Sequence, residues 1–184
     1  SKLPTIQLID TSSVTTMSYM FSFCHALTSL PALNTSNVKK MESMFSNCIN
    51  LTTIPALDTS KVMNMYRMFN TCTKLTSLPA LDCSSIDTGF NSAGWFGGSI
   101  LKNLTEIGGF LNLKTKSDSS YGLAKCPNLT YQSCINVLNG LYDFTGNGET
   151  PNSNQGKLKV HANFLTTVGE DISIGLNKGW VITS

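Results

Sequence analysis

The sequence predicts an α/β solenoid, with short parallel strands along one face and helices along the other. Three observations predict it: a fixed period of 24 residues through the first half, helix-like apolar spacing within each period, and a short alternating segment that closes it. Asp10-Thr11-Ser12, Asn34-Thr35-Ser36, Asp58-Thr59-Ser60 and Asp82-Cys83-Ser84 open four successive units. Val14, Val38 and Val62 recur behind them, then Met17, Met41 and Met65. Met20-Phe21, Met44-Phe45 and Met68-Phe69 follow, then Cys24, Cys48 and Cys72, then Leu27, Leu51 and Leu75. Leu30-Pro31-Ala32-Leu33, Ile54-Pro55-Ala56-Leu57 and Leu78-Pro79-Ala80-Leu81 close the units. A period of roughly 20 to 50 residues means stacked units, each too small to bury its apolar face alone.

Within one unit, Val38, Met41, Met44, Phe45 and Cys48 are spaced as one face of a helix of about three turns. Asn34, Thr35 and Ser36 precede it as helix-capping residues. Leu51, Ile54 and Ala56, with Thr52, Thr53 and Pro55 between them, read as a brief half-buried strand that ends near the proline. Phe21, Phe45 and Phe69 are expected to stack as a column, with the methionines filling the space beside them. A strand–loop–helix unit of this length is the leucine-rich-repeat layout.

At these residues the chain resembles a known family. The string Leu57-Asp58-Thr59-Ser60-Lys61-Val62-Met63-Asn64-Met65-Tyr66-Arg67-Met68-Phe69, with Cys72 and Leu75 after it, is similar to the BspA-like leucine-rich-repeat surface proteins of bacteria and of phages that infect them. The resemblance spans residues 8 to about 86. Lys125-Cys126-Pro127-Asn128-Leu129-Thr130, residues 141–146 and Lys178-Gly179-Trp180 also resemble the segment that closes many such arrays. The resemblance implies an exported adhesion or recognition protein without a catalytic residue set.

The period then fails. Gly89, Phe90, Gly94-Trp95-Phe96 and Gly97-Gly98 replace the Met-Met-Phe pattern, and Leu104 and Ile107 restore the strand pattern five residues late. Residues 89–98 are either an atypical terminal unit or a functional loop carrying Trp95 and Phe96. The expected organisation is an array over residues 1–110, closed by a C-terminal α/β segment over residues 111–184. In that segment Thr130 caps a helix with the apolar stripe Cys134, Val137, Leu138 and Leu141. Residues 143–156 form a loop, Leu158 and Val160 a strand, Phe164, Leu165 and Val168 a short helix, and residues 180–182 a last strand. Residues 3–9 match only the tail of a unit, so a neighbouring N-terminal repeat or domain is expected.

Charged residues are 13% of the chain, about half the usual share, and the net charge is +2 with no basic run. That disfavours a surface tracking nucleic-acid phosphates. No stretch of about 18 apolar residues exists to span a membrane. Cys24, Cys48 and Cys72 share a core column, where free thiols behave as small hydrophobes; Cys83, Cys126 and Cys134 lack metal-site spacing. Cys24-His25 is read as a structural thiol beside a surface histidine, since Ile49 and Thr73 replace the histidine in sister units. Gly146-Asn147-Gly148 lacks the lysine and helix of a phosphate loop, and Glu170-Asp171 opens a short helix, where carboxylates are favoured. Asn34, Asn50, Asn103 and Asn128 begin N-x-Ser/Thr sequons, two of them by-products of the repeat, and Thr28, Thr52 and Thr76 form a threonine column. No catalytic residue, metal or cofactor is expected.

The chain is therefore expected to be a non-enzymatic binding or adhesion module, extracellular or at a bacterial surface, recognising a protein or glycan on a host or neighbouring cell. A phage tail or fibre component in the virion and a rigid spacer are the competing readings. The outward positions are Tyr19, Phe23, Lys39, Lys40, Glu42, Met63, Tyr66 and Arg67 on the helical side, and Ser29, Thr53 and Ser77 on the strand side. Tyr19, Phe23, Tyr66, Arg67, Trp95 and Phe96 are the candidate ligand contacts, because exposed aromatic and arginine side chains are the usual anchors of interfaces.

Overall fold

The computed structural model describes residues 10–86, 101–112, 123–150 and 157–184, and in the first of these segments the period of 24 becomes a stack of coils. None of residues 10–86 is α-helical. Where the apolar spacing predicts a helix over residues 38–48, the backbone runs through consecutive β-turns. Met44, Ser46 and Cys48 N–H donate to the carbonyls of Met41, Ser43 and Phe45, three residues back. The alternate groups leave the coil: Met41, Ser43, Phe45 and Asn47 N–H donate to Asn64, Tyr66, Met68 and Asn70 of the next coil at 2.7–2.9 Å. Met17, Tyr19, Phe21 and Phe23 do the same to Lys40, Glu42, Met44 and Ser46.

This turn ribbon needs a left-handed residue at every fourth position, the third residue of its type II-like turns. φ is 62° at Tyr19 and 60° at Phe23, 51° at Ser43 and 62° at Asn47, and 52° at Arg67 and 61° at Thr71. No α-helix accommodates a positive φ. The predicted helix fails for a second reason. Ser43, Ser46 and Asn47 are weak helix formers, and ladder bonds to the next coil outweigh their small preference.

The core columns survive the change of element. Phe21 and Phe45 stack 5.7 Å apart with a 4° interplanar angle, and Phe45 and Phe69 5.8 Å apart at 10°. Val38, Met41, Met44, Phe45, Cys48 and Leu51 are fully buried, as are their counterparts from Val62 to Leu75.

At each coil entrance the expected helix cap is an Asx turn instead. Ser12, Ser36, Ser60 and Ser84 N–H donate to Oδ1 of Asp10, Asn34, Asp58 and Asp82 at 2.9, 3.1, 3.1 and 2.8 Å. The intervening threonines are buried. Thr11 Oγ1 donates to the Asn34 carbonyl, and Thr59 Oγ1 accepts from Asp82 N–H, but Thr35 Oγ1 is the one buried side-chain oxygen among the described residues without a partner.

On the opposite side, a threonine ladder runs further than the three-residue column in the sequence. Thr52, Thr76, Thr105 and Thr130 N–H donate in turn to the carbonyls of Thr28, Thr52, Thr76 and Thr105 at 2.9–3.0 Å. The strand expected over residues 51–56 joins this ladder at Thr52 alone. Named strands begin one coil later: β1 (Ser77–Leu78) pairs in parallel with β3 (Glu106–Ile107), and β2 (Leu81–Asp82) with β4 (Phe110–Leu111). Ser77 faces Glu106, an offset of 29 rather than 24, so the ladder absorbs five extra residues. Gly108 permits the close approach that follows, since a Cβ there would lie 2.3 Å from Ala80 N.

Helix α1 (Tyr131–Gly140) forms where the sequence places it, with Thr130 accepting from Ser133 N–H as its cap. It covers the free edge of β3 with side chains in place of a strand. Ser133 Oγ accepts from Ile107 N–H and donates to the Thr105 carbonyl, each at 3.0 Å, and Asn136 Nδ2 donates to the Ile107 carbonyl at 3.1 Å. Beyond it, β5 (Lys157–Lys159) pairs in parallel with β6 (Val181–Thr183), flanked by α2 (Ala162–Val168) and α3 (Ser173–Asn177). Phe144 packs against Tyr142 and Trp180, and Trp180 Nε1 donates to the Tyr142 carbonyl.

The two buried threonines have opposite expectations. Thr35→Val removes an unpaired hydroxyl and should raise stability by about 1 kcal/mol, whereas Thr59→Val orphans the Asp82 N–H and should lower it by about 1–2 kcal/mol, both read by urea unfolding. Ser133→Ala should lower stability by about 1–2 kcal/mol and selectively speed amide exchange at Ile107, because it strips the Ile107 N–H of its partner while the Thr105 carbonyl keeps the Thr130 N–H.

Candidate functional site

The turn ribbon brings three of the predicted contact residues together although they lie on different coils. Tyr19 Oη donates to Glu42 Oε1 at 2.7 Å, and Asn64 Nδ2 donates to Glu42 Oε2 at 3.4 Å. Asn64 Oδ1 accepts from Tyr66 N–H, and the Arg67 guanidinium lies 5.0 Å from the centre of the Tyr66 ring, within cation–π range. Glu42 is thus the hub of a strip crossing three coils. Asn64 is not among the outward positions legible in the sequence; its one signal there is its spacing of 24 from Lys40, which becomes the parallel bridge series Thr16–Lys40–Asn64.

The electrostatics agree with this arrangement. The Tyr19 phenol titrates above its ordinary value of 10.0, chiefly because its proton is held by the Glu42 carboxylate, with slight burial and the charge of Glu42 adding to the effect. Arg67 acts in the opposite sense, which places its charge in the same field.

Phe23 lies four residues along the ribbon, at the next left-handed position, with its ring edge-on to His25 at 6.0 Å. It is 65% exposed and Tyr19 57%; Arg67 is also exposed and Tyr66 half-buried. Lys39, Lys40 and Met63 are exposed, as are Ser29 and Thr53, while Ser77 is half-buried. Trp95 and Phe96 lie outside the described residues, as does the whole glycine-rich break at residues 89–98.

Tyr19, Phe23 and Arg67 share an unusual property: all three are bulky side chains on left-handed backbone. Each such residue is roughly 1–2 kcal/mol less favourable than glycine or asparagine would be there. The sister position Asn47 carries the residue type this conformation prefers. Ser43 and the β-branched Thr71 are left-handed as well but are buried and half-buried, so Tyr19, Phe23 and Arg67 are set apart by carrying a bulky, exposed side chain there.

The cysteine column behaves differently from its sequence reading at one end. Cys24 is exposed, not buried, while Cys48 and Cys72 are fully buried. Their thiols donate to the Phe21 and Phe45 carbonyls at 3.0 and 3.1 Å. Burial pushes them up to about 11 and about 12, away from the thiolate that a nucleophile requires. Among the described residues no three His, Cys, Asp or Glu side chains gather to hold a metal ion.

The sequons also acquire a structural meaning. In Asn50-Leu51-Thr52, Asn103-Leu104-Thr105 and Asn128-Leu129-Thr130 the leucine is buried and the threonine joins the ladder. The asparagine amides donate to the carbonyls of His25, Thr73 and Lys102 in the preceding coil at 2.7–2.8 Å. Asn34 instead makes the Asx turn of its own coil.

The profile of one protein family, described as Mycoplasma protein of unknown function, DUF285, matches residues 2–99. No curated protein and no solved structure matches the chain.

Thiol chemistry should separate the column. Alkylation of the native protein at neutral pH should modify Cys24 and leave Cys48 and Cys72 intact until denaturant is added, as read by peptide mass mapping. Because burial raises the Cys72 thiol above its ordinary value of 9.0, its contribution to stability is complete below that pH and is lost as pH climbs toward about 12.

Proposed function

We propose that this chain, which belongs to the DUF285 family of Mycoplasma proteins of unknown function, is a non-enzymatic binding module of a bacterial surface. It engages a macromolecule of a host or neighbouring cell through the strip centred on Glu42. The finer family reading, BspA-like leucine-rich repeats, is part of the same proposal. So is the architecture: the stacked coils are an array over residues 1–110 of a leucine-rich-repeat solenoid, closed by residues 111–184.

The observation that carries this reading is the placement of Tyr19, Phe23 and Arg67 on left-handed backbone in exposed positions. Stability alone would favour asparagine or glycine there. A side chain retained against that preference points to an external contact, and Tyr, Phe and Arg are the side chains that anchor interfaces. Hydrogen bonds from Tyr19 and Asn64 hold Glu42, so the strip is ordered before a partner arrives. Preorganisation of this kind reduces the entropy lost on binding. No helix among the described residues is long and apolar enough to cross a membrane.

The backbone dictates the test. Alanine at these positions would confuse strain with lost contact, so Tyr19→Asn, Phe23→Asn and Arg67→Asn are the informative changes. The triple variant should keep or raise the melting temperature and lose about tenfold or more in attachment to host or bacterial cells, measured by flow cytometry with labelled protein. Undiminished attachment would sink this proposal in favour of a rigid spacer.

A further inference from the structure

An open groove of about 360 Å3 lies where β1 and β3 meet the first turns of α1, and it shares no residue with the Glu42 strip. Leu78 and Ile107 form its floor, 4% and 2% exposed, and Ser77, Glu106, Gln132 and Asn136 stand around it. We propose that this groove is a separate binding site for a neutral sugar residue, such as the end of a glycan.

Size and rigidity come first. The volume falls in the range of small-ligand sites, roughly 300–1,000 Å3. The walls are locked together: β1 and β3 are paired, and Thr130, Ser133 and Asn136 tie the start of α1 to the backbone of Thr105 and Ile107. A preformed groove needs little ordering on binding.

The polar groups then define the ligand class. No described residue offers the Glu106 carboxylate a hydrogen bond or an ion pair, so its two oxygens are free to accept. Gln132 gives one amide N–H to Asn136 Oδ1 at 2.9 Å and keeps its carbonyl oxygen and its second N–H available. The Ser77 hydroxyl makes no hydrogen bond to the described residues. The rim therefore presents carboxylate and amide acceptors, with the Ser77 hydroxyl and a Gln132 N–H as donors, beside the apolar Leu78 and Ile107. Its complement carries several groups that both donate and accept on one edge and C–H groups on one face. A pyranose ring has that pattern, and a planar carboxylate can take two adjacent hydroxyls at once.

Charge disfavours the other classes. An anion would meet Glu106 directly. A cation would meet the first turns of α1, whose amino-terminal end carries partial positive charge. A neutral, hydroxyl-rich ligand faces neither penalty.

The experiment is a titration of the full 15N-labelled chain with methyl α-mannoside, methyl β-galactoside and methyl β-N-acetylglucosaminide, followed by amide shifts. At least one glycoside should move Ser77, Ile107, Gly108 and Gln132 saturably, with a dissociation constant of roughly millimolar. Glu106→Ala and Gln132→Ala should each weaken that binding by about tenfold, while the Tyr19, Phe23 and Arg67 asparagine variants leave it unchanged. The proposal is overturned if no groove amide moves at roughly 50 mM of any glycoside. It is equally overturned if the shifts persist in Glu106→Ala, or if N-acetyl-lysine amide moves the same amides more strongly, which would define a cation site. Cell attachment through the strip is read separately, so either reading can fail alone.

Discussion

The stack depends on how each coil divides its backbone N–H groups. Along the ribbon, one N–H bonds three residues back within its own coil and the next bonds to the coil beyond. A helix would satisfy both kinds internally and leave neighbouring coils joined by side chains alone. The divided arrangement gives the Met17 to Phe23 and Met41 to Asn47 stretches four intercoil bonds each. It also fixes the intercoil offset, because a slip of one residue would set every outward N–H against the wrong carbonyl.

Much else follows from that ladder. With the offset fixed, equivalent side chains superpose, so the phenylalanines stack nearly parallel and the thiols reach the phenylalanine carbonyls of the preceding coil. The ladder also obliges one residue in four to be left-handed, which puts Tyr19, Phe23 and Arg67 under strain. At the strand side, backbone pairing continues through Thr105 to Thr130, where α1 takes over. Ser133 substitutes for a strand by accepting from the Ile107 N–H on the open edge of β3, and it adds a second donor to the Thr105 carbonyl that already takes the Thr130 N–H.

The candidate site was legible in part. Tyr19, Tyr66 and Arg67 are visible in the sequence as variable, outward residues between invariant core positions. That they meet around Glu42 is not, since the intercoil hydrogen bonds decide which side chains of adjacent coils are neighbours. The groove beside α1 left no mark either. Glu106 and Gln132 belong to segments outside the regular period, and they become neighbours only because α1 occupies the place of a further strand. The N-x-Thr sequons show the reverse case, a familiar pattern whose meaning here is mechanical.

By itself the sequence determined the period, the core columns, the five-residue insertion and the position of α1. Each of these depends on which side chains are apolar and how far apart they recur. Tertiary structure alone decided between helix and turn ribbon. A spacing of three to four residues gathers Val38, Met41, Met44, Phe45 and Cys48 on one side in either conformation, so periodicity does not distinguish them. The choice rests on where alternate N–H groups find acceptors, and those acceptors belong to the next coil. The same choice made Asn34 and its counterparts Asx turns instead of helix caps, and placed bulky side chains where glycine would fit with less strain.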